Sequence, residues 1–140
     1  MGQGVGVTAL QMLNMMCCIA NNGYLMRPAI VRRVVDAKGL TIQEFVPEVI
    51  AKPIREDTAQ LMQRLLARVT EEGGTGTKAR VDGYTVAGKT GTAQKPVDGH
   101  YSDSANIASF MGFLPAENPE LAIIIVVDEP QPLHTGGQVA

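Results

Sequence analysis

The chain is poor in the side chains that build metal and redox centres, with two cysteines and two histidines in 140 residues. Cys17 and Cys18 are sequence neighbours. Adjacent positions on a helix point roughly 100° apart, so a bridge between them would be strained. Two buried thiols are expected, since no further cysteine or clustered histidine completes a ligand set. His100 and His134 lie far apart in loop-like surroundings with no nucleophile beside them, and read as surface residues. Long apolar runs are also missing: the longest, Leu121 to Val127, is far too short to cross a bilayer. The first residues, Met1-Gly2-Gln3-Gly4, lack the basic region and apolar core of a signal peptide. A net charge of −2, from 12 basic and 14 acidic residues, gives no reason to expect nucleic acid as a partner.

What is present is one domain's worth of globular chain, 45% hydrophobic. Thr8 and Gln11 form a capping-box pattern, opening a helix that runs to Asn21-Asn22-Gly23. It is apolar almost all round, which predicts cover from several neighbours. Residues 24–50 read as extended, with a hairpin turning at Asp36-Ala37-Lys38-Gly39 and with Arg32 and Arg33 on a solvated edge. From Ile54 to Thr70 the period becomes helical, with Ile54, Thr58, Leu61, Met62, Leu65, Leu66 and Val69 on one stripe. A flexible loop, Gly73-Gly74-Thr75-Gly76-Thr77, follows. After it come a strand at 84–94, a polar segment from Lys95 to Asn106, and a strand from Ile107 to Leu114 broken by Gly112. A tight connection at 115–120 leads to a last strand, Leu121 to Asp128, whose continuous apolar run predicts cover on both faces. Short links make these three strands an antiparallel meander, so the fold class is α+β.

The chemistry concentrates in Gly88-Lys89-Thr90-Gly91-Thr92-Ala93-Gln94. On a strand, the period of two puts Thr90 and Thr92 on one face, where two hydroxyls could donate to the two oxygens of one carboxylate. Gly91 lets a ligand or another element approach the main chain. Lys89 starts on the far face, but its long stem can carry the ammonium into an adjoining pocket.

A rival pattern overlaps this one. Gly83-Tyr84-Thr85-Val86-Ala87-Gly88-Lys89-Thr90 matches the P-loop of nucleotide-binding proteins, and Val126-Val127-Asp128-Glu129 resembles the acidic strand end that holds magnesium there. The setting opposes that reading. Residues 77–82 are mostly polar where an apolar strand is required, and Thr90-Gly91-Thr92 followed by Pro96 is poor helix material.

The carboxylate reading matches a family. Lys89-Thr90-Gly91-Thr92 resembles the K-T-G box of penicillin-binding proteins and serine β-lactamases. Further similar stretches are Gly2-Gln3-Gly4 before Thr8-Ala9-Leu10-Gln11-Met12, Ala20-Asn21-Asn22-Gly23 with Arg27-Pro28, residues 108–115, Asp128-Glu129-Pro130 and residues 136–140. Together they resemble the C-terminal part of the transpeptidase domain of a class B, division-specific penicillin-binding protein, and the similarity covers all of 1–140. The resemblance implies a peptidoglycan D,D-transpeptidase working through a serine acyl-enzyme, with no cofactor or metal. It implies D-Ala-D-Ala stem peptides and β-lactams as ligands, and division-machinery proteins as partners. The implied location is the outer side of the bacterial cytoplasmic membrane, reached by an anchor that this chain does not carry. Carried over residue by residue, Lys89 organises proton transfer, Thr90 and Thr92 bind the terminal carboxylate, Gly91 permits tight packing, and the Thr92 N–H is an oxyanion donor.

The departures are specific. No Ser-x-x-Lys occurs in the 140 residues. Thr75-Gly76-Thr77-Lys78 and Thr92-Ala93-Gln94-Lys95 keep that spacing with threonine, but sit in the loop and in the K-T-G strand. Ser104-Ala105-Asn106 fits S-x-N, yet follows the K-T-G box instead of preceding it. The expectation is therefore a piece of a longer enzyme, truncated at both ends and inert alone. A non-catalytic module binding D-Ala-D-Ala or a partner is the other class of reading.

Overall fold

The computed structural model describes residues 4–97 and 99–140. Helix α1, Ala9–Ala20, begins at the expected capping box: Gln11 N donates to Thr8 Oγ1 at 3.2 Å and Thr8 N donates to Gln11 Oε1 at 2.9 Å. It ends at Gly23, which holds φ +91° and donates its N–H to Cys18 O. A side chain there would be both strained and driven into Ile54 O, so only glycine fits. Met16 and Cys18 are buried and several elements pack against the helix, as its apolar character predicts, while Leu10 and Met15 stay about half exposed.

The 24–50 region is extended as expected. Strand β1, Leu25–Met26, pairs with β4, Val49–Ala51, and β2, Arg33–Val35, pairs with β3, Thr41–Glu44, all antiparallel. The Asp36 carboxylate fixes the hairpin turn by accepting from Lys38 N and Leu40 N at 2.8 and 2.9 Å. Arg32 and Arg33 are exposed.

Helix α2, Glu56–Ala67, locks onto α1 through Gln63, whose amide donates to Ile19 O at 2.8 Å and Ala20 O at 3.2 Å. These are two carbonyls that the end of α1 leaves unpaired. The buried side of α2 differs from the expected stripe. Ala59 and Leu66 are buried, whereas Leu61 and Leu65 face outward. The inward side is the one on which Gln63 bonds to α1 and Leu66 joins Met16 and Phe113 in the core, so burial follows that docking rather than hydrophobicity alone. The loop after α2 contains ordered turns, with Gly76 N donating to Val69 O at 2.8 Å, and continues into a 3-10 turn, Thr77–Ala79.

Strands β5 (Ala87–Val97), β6 (His100–Leu114) and β7 (Leu121–Asp128) form the expected meander, in the order β5-β6-β7. Three details differ from expectation. Strand β5 starts at Ala87, because residues 81–84 make their own tight turn with a Val81–Tyr84 bridge. Of the polar segment expected at 95–106, residues 95–97 and 100–106 are the far ends of β5 and β6, pairing Pro96 with Tyr101 and Val97 with His100, so His100 lies on a strand. Gly112 does not break β6. A Cβ there would lie 3.1 Å from Phe110 Cε1, and one at Gly88 would lie 2.9 Å from Phe110 Cε2, so the two glycines make room for the Phe110 ring.

The register separates the faces. Ala87, Met111, Phe113 and Ala122 rest with Ala116 against Met16 of α1 and Leu66 of α2, forming the core. Thr90, Thr92, Ala108 and Phe110 share the opposite face, which carries the 74–77 loop and a one-turn helix α3, Gly136–Val139. On β7 that face is open: Leu121, Ile123 and Ile125 are 61%, 44% and 40% exposed. The expectation of cover on both faces of β7 fails there because α3 sits over β5 and β6 only.

Candidate functional site

Lys89, Thr90, Gly91 and Thr92 lie together near the start of β5. Among the described residues no strand pairs with the other edge of β5, so this stretch is at the open border of the sheet. The pleat works as the sequence predicts. Thr90 pairs with Phe110 and Thr92 with Ala108, so both hydroxyls stand on one face. Gly91 pairs with Ser109 on the opposite face, where a Cβ at Gly91 would come within 2.5 Å of Ser109 Oγ.

Both threonine hydroxyls have protein partners. Thr92 Oγ1 accepts the backbone N–H of Gly136 at 3.0 Å, and Thr90 Oγ1 shares a hydrogen bond with Thr75 Oγ1 at 2.9 Å. Gly136 can come so near because it has no side chain: a Cβ would lie no more than 3.0 Å from Gly91 O, Ser109 O and Gly91 N. Lys89 is exposed and donates to the carbonyl of Thr90, with no acidic partner among the described residues. Sequence reasoning missed Thr75 and Gly136. The visible signals were glycines on both sides of Thr75 and the Gly136-Gly137 pair.

The nucleotide reading fails on shape. Lys89 is inside a strand that runs on to Val97, so no helix N-terminus lies behind it to face a phosphate. Asp128 and Glu129 are engaged instead by Lys95, at 3.0 and 2.6 Å. Their carboxylates push the Lys95 ammonium pKa up, the Glu129 hydrogen bond first and the Asp128 bond second. Ser104-Ala105-Asn106 is not part of the site either. Asn106 pairs with Gln94, five residues along β5 from Lys89, or roughly 16 Å at strand rise. His100 and His134 are exposed, as expected. Cys17 and Cys18 are free thiols, but only Cys18 is buried as expected and Cys17 is half-buried; burial raises the pKa of each. No cluster of metal-ligating side chains occurs among the described residues, nor any helix long and apolar enough to cross a membrane.

Comparison with known proteins gives the family. The model of the penicillin binding protein transpeptidase domain matches residues 1–140. Stage V sporulation protein D of Bacillus subtilis is 40% identical over 141 residues, covering 99% of this chain and 22% of that protein. A probable peptidoglycan D,D-transpeptidase PenA of Neisseria meningitidis is 36% identical, with the same coverages. The chain thus spans about a fifth of the length of these relatives. Among solved structures, penicillin binding protein 3 from Mycobacterium tuberculosis, complexed with aztreonam, superposes with a TM-score of 0.81 at 39% identity, covering 92% of this chain and 30% of that one. The D,D-transpeptidase domain of a peptidoglycan glycosyltransferase from Eggerthella lenta gives 0.80 at 34% identity, with coverages of 89% and 28%. A family model matched over residues 1–140, together with solved relatives that share this α+β scaffold at 34–39% identity, makes the chain a member of the penicillin-binding protein transpeptidase family.

Proposed function

We propose that residues 1–140 are the K-T-G-bearing, C-terminal portion of the transpeptidase domain of a division-specific peptidoglycan D,D-transpeptidase. One observation carries this: Thr90 and Thr92 present two hydroxyls on one face of an open strand edge, and Lys89, rooted on the other face, turns its ammonium onto the Thr90 carbonyl. An extended peptide can add to such an edge through main-chain hydrogen bonds. The two hydroxyls then donate to its terminal carboxylate, and Lys89 supplies positive potential beside them.

In the reaction a serine Oγ attacks the carbonyl of the D-Ala-D-Ala bond. The tetrahedral oxyanion collapses, the D-alanine amine leaves with a proton, and an acyl-enzyme remains. An amine of a second stem peptide then attacks the ester and regenerates the serine. The Thr92 N–H is one of two oxyanion donors, and Lys89 organises the proton movements. β-Lactams enter by the same route and stay on the serine. That serine and its lysine are contributed by residues outside this chain, since the chain has no Ser-x-x-Lys. The whole protein is anchored in the bacterial cytoplasmic membrane, holds this domain on the outer side, and works with the division machinery.

A fluorescent penicillin tests this reading. The full-length gene product is expected to be labelled covalently, its Lys89→Ala variant to be labelled at least tenfold more slowly, and the 140-residue chain alone to stay dark. Labelling of the isolated chain would refute the external serine, and an unlabelled full-length product would refute the enzyme.

A further inference from the structure

We propose that Thr75 is a positioning residue of the carboxylate site, its hydroxyl donating to Thr90 Oγ1 so that the Thr90 proton points outward to the ligand. The inference rests on the functional reading above and adds a residue that the K-T-G pattern does not contain.

A hydroxyl has one hydrogen to give and two lone pairs. A carboxylate only accepts, so each threonine that binds one must keep its hydrogen free. At Thr92 this is arranged by the backbone: Gly136 N–H donates to Thr92 Oγ1 at 3.0 Å and occupies a lone pair, leaving the Thr92 hydrogen for the ligand. At Thr90 the same position is taken by Thr75 Oγ1 at 2.9 Å. One hydrogen lies between these two oxygens. If Thr90 gave it, Thr90 would have none for the carboxylate. A bound carboxylate therefore selects the arrangement in which Thr75 donates.

Thr75 is held firmly enough for this task. Gly76, next to it, is buried, and a Cβ there would lie 3.2 Å from Val69 Cγ1 and 3.3 Å from Phe110 Cε2. Gly74 on its other side turns against the end of α2, where a Cβ would lie 2.7 Å from Arg68 O. The Thr75 carbonyl fills the space that a side chain at Gly137 would need. Lys78, on the 3-10 turn that follows, donates to Gln138 O at 3.0 Å and ties the loop to α3. Two donors from separate elements thus act on the two hydroxyls in parallel, and each is set in place before a ligand arrives.

A double-mutant cycle on penicillin acylation in the full-length gene product tests the inference. Thr75→Val is expected to lower the second-order acylation constant about threefold to tenfold, the worth of one neutral hydrogen bond. Thr75→Ser, which keeps the hydroxyl, is expected to stay within twofold of wild type. In a Thr90→Val background the Thr75→Val change is expected to cost less than twofold, because its target is gone. A residue that only supports the loop would cost the same in both backgrounds, and that result would overturn the inference. So would a Thr75→Val variant with wild-type acylation, or a serine variant as poor as the valine one. Should valine disturb the loop, Thr75→Ala takes its place in the same cycle, and an additive alanine effect is equally fatal. A wild-type product that takes up no penicillin would overturn the functional reading, and this inference with it.

Discussion

Placing a methyl group at Gly136 is the sharpest test of how α3 is seated. A Cβ at that position would lie no more than 3.0 Å from three main-chain atoms, Gly91 O, Ser109 O and Gly91 N. Main-chain atoms inside a paired ladder have nowhere to go, so α3 itself must move. The Gly136 N–H contact to Thr92 Oγ1 is 3.0 Å, and lifting the turn by roughly 1 Å takes it out of hydrogen-bonding range. Overpacking and the lost hydrogen bond together cost about 2–4 kcal/mol, up to the limit at which α3 simply undocks. Gly136 does not have a positive φ, so the effect is steric and not conformational. Hydrogen exchange followed by mass spectrometry reads it directly. In Gly136→Ala, peptides spanning 134–140 and 86–97 are expected to open about 30- to 900-fold more often. Gly6→Ala is the control, since nothing lies within 4 Å of a Cβ there. Exchange in Gly136→Ala no faster than in Gly6→Ala would refute the close seating of α3 and the Thr92 contact that depends on it.

Other consequences concern the core, the far end of the sheet and its bare surface. Phe113 is fully buried between the sheet and the helices, so Phe113→Ala is expected to lower stability by about 3–5 kcal/mol in chemical denaturation; a loss below 1 kcal/mol would contradict its place in the core. Because Glu129 and Asp128 raise the Lys95 pKa in the folded state, that ion-pair contribution is complete below the ordinary lysine pKa and is lost as pH rises through the raised value. Alkaline melting curves of Lys95→Met are therefore expected to fall less steeply than wild type, and identical slopes would count against the assignment. Leu121, Ile123 and Ile125 leave an apolar strip on β7, and the isolated chain is expected to self-associate. Light scattering checks this: Ile123→Lys with Ile125→Lys should reduce association, whereas a monodisperse wild-type monomer would sink the argument.

The local rules were legible in the residues themselves. Thr8 and Gln11 predict their capping box, Gly23 predicts its left-handed helix end, and Lys89 to Thr92 predict a strand with paired hydroxyls, because each depends on neighbours within a few positions. The motif also identified the family, since the order of residues along one strand is itself sequence information. Whatever depends on distant partners was not legible. Leu61 and Leu65 are as apolar as Leu66, yet face outward, because the Gln63 bonds to α1 turn the Leu66 side of α2 toward the core. The polar residues 95–97 and 100–106 form strand because they continue a hairpin already paired at Lys89 and Met111, which overrides weak local preference. Thr75 and Gly136 lie 15 and 44 residues from the threonines they meet, and only the folding of the loop and α3 onto one sheet face brings them there. The sequence determined which hydroxyls share one face of a strand; the tertiary structure decided which neighbours sit against them, since hydrogen-bond geometry across such separations exists only once the loop and α3 have docked on the sheet.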